Sequence, residues 1–116
     1  MSREVATRYF ERLKSRDAKT VAESFHADIV SSDPLAGELR GKEAVTAAFA
    51  ALFQQMPDVS FEPKRYLIDG QRGAVEWIRT GSGPRGRIVI PGMDLTEFTG
   101  GAIRSIKFYY DPAPLK

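Results

Sequence analysis

The sequence predicts an α+β fold: helices packed on one face of an antiparallel sheet. Two observations carry that prediction. Apolar residues recur at three- and four-residue steps through most of the first half of the chain, and in alternation through the second. The second half is also cut by the glycine turn signals Asp69-Gly70 and Gly100-Gly101, which suit hairpins. Helices grouped early and hairpins grouped late give a segregated α+β arrangement, not alternating βαβ units. At 116 residues the chain suits one domain spanning 1–116.

The first helix is expected over residues 3–15, with Val5, Tyr9 and Leu13 at four-residue steps and Ala6 and Phe10 widening the stripe. Ser2 is its candidate cap. Tyr9 falls in the buried stripe, where its hydroxyl needs a polar partner. A shorter helix follows over 18–26, capped by Asp17, with Val21, Ala22 and Phe25 inward and His26 at its C-terminal end. A strand is predicted from Ile29 to Asp33, where Pro34 cannot donate to a ladder. Asp33 before proline is either a turn-maker or a catalytic carboxylate.

Residues 35–41 read as a loop. The third helix runs over 42–56, with Val45, Ala48, Phe49, Leu52, Phe53 and Met56 as a broad apolar stripe and Pro57 as its stop. Strands are predicted over 59–68, 74–80, 87–98 and 102–110. Gly81 to Gly86 reads as a flexible connection, and Pro91-Gly92 as a bulge or bend.

Alternation assigns the faces. With Asp94 toward the helices, Ile88, Ile90, Thr96 and Phe98 join it, and Val89, Met93 and Leu95 face away. A flip at Pro91-Gly92 would instead send Asp94 to solvent. In the last strand Arg104 is expected to share a face with Ile106, Phe108 and Tyr110. Trp77, Phe98, Phe108 and Tyr110 would then form a concave apolar wall holding one carboxylate, Asp94. Burial there should raise its pKa. The apolar outer face suggests sheet-to-sheet dimerisation.

Composition narrows the function. There is no cysteine and one histidine, which excludes disulfides and multi-histidine metal sites. The net charge of +2 is spread along the chain, unlike a nucleic-acid footprint. The basic run Arg79, Arg85, Arg87 reads as a solvated loop. No apolar stretch is long enough for a membrane span, and charge begins at Arg3 with no secretory apolar run, so a cytoplasmic location is expected.

Tyr9-Phe10, Phe25 to Val30 leading to Asp33-Pro34, Gly41 to Val45, Val75-Glu76-Trp77, Asp94 with Phe98, and Gly101 to Tyr110 stand in a familiar order. The chain resembles the nuclear-transport-factor-two-like superfamily, in particular its SnoaL-like and ketosteroid-isomerase-like members. That resemblance implies a cystatin-like cone, three helices on a strongly curved, mostly antiparallel sheet. In the isomerase branch a helical tyrosine and a protonated aspartate form an oxyanion hole, and an aspartate before proline shuttles the proton. The matching positions are Tyr9, Asp94 and Asp33. The expected activity is cofactor-independent proton transfer on a small apolar or aromatic carbonyl compound. Phe53, Met56, Trp77, Phe98, Phe108 and Tyr110 would contact it. The alternatives are an aldol-type polyketide cyclase with Asp94 as acid/base, or a non-catalytic ligand-binding dimer. No metal, nucleic acid or membrane partner is expected.

Overall fold

A computed structural model describes residues 1–116. The elements run α1 (Ser2–Leu13), α2 (Ala18–Ala22), β1 (Phe25–Asp33), β2 (Gly37–Arg40), α3 (Lys42–Gln55), β3 (Ser60–Asp69), β4 (Arg72–Gly83), β5 (Gly86–Thr99) and β6 (Ala102–Tyr110), with a closing 3-10 turn at Ala113–Leu115. Six strands form one sheet in the order β2-β1-β6-β5-β4-β3. All neighbours are antiparallel except β1 and β6. This is the expected α+β arrangement of three helices on a mostly antiparallel sheet.

Several local expectations are corrected. Ser2 does not cap α1; it is the first helical residue, and Met1 holds the cap position without a side-chain bond. α2 stops at Ala22, so His26 lies in β1 and not at a helix end. The backbone N–H of Ile103 donates to the Ser24 carbonyl at 2.8 Å, and Phe25 pairs with Ile103, which draws this segment into the sheet. Residues 37–40 form β2, an edge strand paired to β1 from Val30↔Arg40 to Asp33↔Gly37. α3 ends before Pro57 because proline disfavours helical backbone at the preceding residue; Met56 sits at φ −135°, ψ 79°.

The glycine-rich connection is a tight hairpin, with pairing continuing to Gly83↔Gly86. No bulge occurs at Pro91-Gly92: Ile78↔Pro91 and Trp77↔Gly92 fall in unbroken register. The register shifts lie elsewhere. On edge strand β3 the pairing skips Lys64, beside Pro63. On β6 it skips Arg104, between Phe98↔Ile103 and Glu97↔Ser105. That extra residue turns Arg104 outward, so Ile103 takes the buried position expected for it.

The core lies between the helices and the concave side of the sheet. It joins Ala6, Tyr9, Phe10 and Leu13 of α1 to Val45, Phe49 and Phe53 of α3 and to Val75, Trp77, Ile90, Phe98 and Ile106 of the sheet. Of the two alternatives left open at Pro91-Gly92, the inward one holds: Asp94 shares the buried face of β5 with Ile88, Ile90, Thr96 and Phe98. No helix is long and apolar enough to cross a membrane.

Candidate functional site

A cavity of about 690 Å³ opens between α1, α3 and the concave face of the sheet, a size that suits a drug-sized molecule. Seventeen of its 25 lining residues are hydrophobic, so its few polar groups decide how a guest is oriented. Tyr9, Asp33, Met56, Trp77, Asp94, Phe108 and Tyr110 all line it. Phe53 and Phe98 do not; both are buried in the core behind the lining. Along α3, Phe49 and Leu52 line the cavity while Phe53 turns to the core. Phe98 lies beyond Asp94 on β5, past the cavity.

Asp94 is 2% exposed. Its Oδ1 accepts the indole N–H of Trp77 at 2.8 Å. Burial raises its pKa from an ordinary 3.8 to about 7, with the Trp77 bond opposing that rise. Near neutral pH both protonation states are therefore populated. Tyr9 is buried on α1, and its pKa is raised well above the usual phenol value by burial and then by the charge on Asp94. Phe10 and Phe49 hold the Tyr9 ring edge-on, at centroid distances of 5.1 and 6.5 Å.

Trp77 is positioned by three contacts. Phe61 meets it edge-on at 5.3 Å, Tyr110 packs against it at 6.1 Å, and its six-membered ring lies over Gly92 of the neighbouring strand. A Cβ placed at Gly92 would come within 2.3 Å of that ring. The sequence signal read as a bend is thus the floor beneath the indole.

Asp33 makes the turn and also reaches the cavity. Its Oδ2 accepts the backbone N–H groups of Leu35 and Ala36 at 2.8 and 2.9 Å, forming the turn. The Tyr110 hydroxyl donates to the same carboxylate at 2.9 Å, on the cavity side. Burial, and then the Asp33 charge, raise the Tyr110 pKa.

Arg79 is the residue that sequence reasoning missed. Expected in a solvated loop, it is 7% exposed and lines the cavity. Period two from Val75 and Trp77 places it on the same face and was the available signal. No three His, Asp or Glu side chains gather as a metal would require.

The chain matches the SnoaL-like domain family over residues 6–106. Among solved structures it is similar to TerC co-crystallized with polyporic acid, at 16% identity and TM-score 0.86, covering 97% of this chain and 92% of that one. It is similar to a ketosteroid-isomerase-like protein from Catenulispora acidiphila in complex with trimethylamine, at 19% identity and TM-score 0.87, covering 97% and 88%. A putative SnoaL-like polyketide cyclase from Jannaschia aligns at 18% identity and TM-score 0.85, covering 97% and 86%. No curated protein matches the sequence.

Proposed function

The chain belongs to the SnoaL-like domain family, and on that premise we propose that it catalyses acid/base chemistry on an enolisable carbonyl compound, with Asp94 moving the proton. One observation carries the reading: a carboxyl group buried at the wall of a mostly apolar cavity, its pKa raised to about 7. As a carboxylate, Asp94 takes a proton from the carbon next to the carbonyl. Trp77 holds Oδ1, which leaves Oδ2 for the transfer. Tyr9 donates to the enolate oxygen as its charge develops. Protonated Asp94 then returns the proton, either to another carbon in an isomerisation or to the alkoxide formed by aldol-type ring closure.

Asp33 is less suited to be the base in this arrangement. Three donors already engage its oxygens, and a base must have a free lone pair aimed at the proton. It is assigned instead to orienting Tyr110. The test is deuterium incorporation into α-tetralone, a flat apolar ketone, in D2O. Wild type is expected to exchange faster than buffer, Tyr9→Phe to be slower by about a hundredfold, and Asp33→Asn to retain most activity. Loss of exchange in Asp33→Asn with survival in Asp94→Asn would reverse the two roles. No exchange above buffer in wild type would remove the activity.

A homodimer through the outer sheet face is proposed as well. Val89 (63% exposed), Leu95 (45%), Leu67 and Tyr109 lie exposed on the side turned away from the helices. Register joins Leu67, Ala74 and Leu95 in one cross-strand row, with Met93 and Tyr109 in the next. Sedimentation velocity at micromolar concentration should show a dimer, and Val89→Glu with Leu95→Glu a monomer. A monomeric wild type would end this proposal.

A further inference from the structure

We propose that the cavity selects carbonyl compounds bearing a carboxylate, and that Arg79 is the group that binds it. The guanidinium sits in a pocket that is otherwise mostly apolar, and no carboxylate comes within ion-pair distance of it. Its Nε is buried without any hydrogen-bond partner. Its Nη2 faces the Met56 sulfur at 3.9 Å, and its carbon stands 5.5 Å over the Phe61 ring. Burial disfavours the charge, and the Tyr110 hydroxyl and the Asp33 carboxylate offset only part of that cost; Tyr110 gives its own proton to Asp33 while its oxygen can still accept from the guanidinium. A buried cation with unused donors is costly unless a ligand completes it.

The chemistry of the site favours a carboxylate over a phosphate. Guanidinium presents a planar fork that matches a carboxylate in two parallel bonds. A phosphate carries more charge, and here it would find one cation beside the Asp33 carboxylate. Register also gives the spacing. Arg79 pairs with Ile90, Trp77 with Gly92 and Val75 with Asp94. Arg79 and the Asp94 row are therefore four residues apart along β4, roughly 13 Å between backbones, with the Trp77 indole between them. The ligand this fits is elongated: a carbonyl at the Tyr9 and Asp94 end, a flat apolar body across Trp77, and an anion at Arg79.

This names the substrate class for the proposed acid/base activity and rests on that reading for catalysis, but its binding half is measurable alone. The probe is 4′-acetylbiphenyl-4-carboxylate beside its methyl ester, by titration calorimetry at pH 8. Wild type is expected to bind the acid at least tenfold more tightly than the ester. Arg79→Met, which keeps an apolar stem and removes the charged head, should erase that preference and leave ester affinity within about twofold. Arg79→Lys should keep part of it. In parallel, benzoate but not benzamide should shift the Arg79 Nε–H resonance of wild type. Equal affinity for acid and ester, a preference that survives in Arg79→Met, or an Nε–H signal unmoved by benzoate would each overturn the anion site. An Arg79-dependent preference with no deuterium exchange on any ketone would sink the catalytic reading and leave the anion site standing.

Discussion

Asp94→Asn is expected to abolish turnover and, at pH 8, to make the protein more stable than wild type. Both effects come from one burial. In the folded protein the Asp94 carboxyl holds its proton up to about pH 7, against an ordinary 3.8. Below pH 3.8 it is protonated in folded and unfolded chains alike and contributes no pH slope. Between 3.8 and 7 the unfolded chain releases the proton and the folded one keeps it, so stability falls as pH rises. Above 7 the full cost remains, about 4 kcal/mol for a carboxyl moved from 3.8 to about 7. Asparagine carries no such charge, and its amide oxygen can still accept the Trp77 N–H. Unfolding by urea at pH 4 and pH 8 checks this. The variant should gain up to about 4 kcal/mol over wild type on going from the first pH to the second. Identical pH slopes in the two proteins would show that Asp94 ionises normally. The acid/base assignment would then fail with the stability claim, since both need a proton held near neutrality.

The site was readable in sequence wherever one period held without interruption. The alternation of β5 from Ile88 to Phe98 gave Asp94 its inward alternative, and the register with β4, unbroken through Pro91-Gly92, selects it. Arg104 could not be placed, because the residue skipped in the β5–β6 pairing breaks the alternation. Arg79 was hidden by its neighbours. Next to Gly81 and its glycine-rich successors a guanidinium reads as solvated, although the β4 alternation already pointed it inward. The helical lining was harder. Phe49 and Phe53 both lie on the apolar stripe of α3, and the one that faces the cavity depends on how α3 crosses the sheet, which is a tertiary property. Likewise β2 has four residues and no alternation to betray it; only pairing to β1 makes it a strand.

Gly92→Ala should disable the same site from behind, without touching a polar group. The added methyl would meet the Trp77 ring at 2.3 to 2.6 Å, closer than van der Waals contact permits. The backbone itself tolerates alanine, because Gly92 is not among the residues with positive φ. The cost is therefore steric overpacking, typically about 1–3 kcal/mol, and the indole must tilt away from β5. Tilting breaks the 2.8 Å bond from Trp77 Nε1 to Asp94. That bond favours the carboxylate, so its loss moves the Asp94 titration upward from about 7. The Asp94 side-chain carboxyl followed by NMR, and the pH dependence of deuterium exchange, should both shift to higher pH. Trp77→Phe, which removes the same donor while leaving Gly92 in place, should shift them in the same direction. If Gly92→Ala is destabilised and its titration stays where wild type has it, the indole does not hold the carboxylate, and Trp77 is a packing residue only.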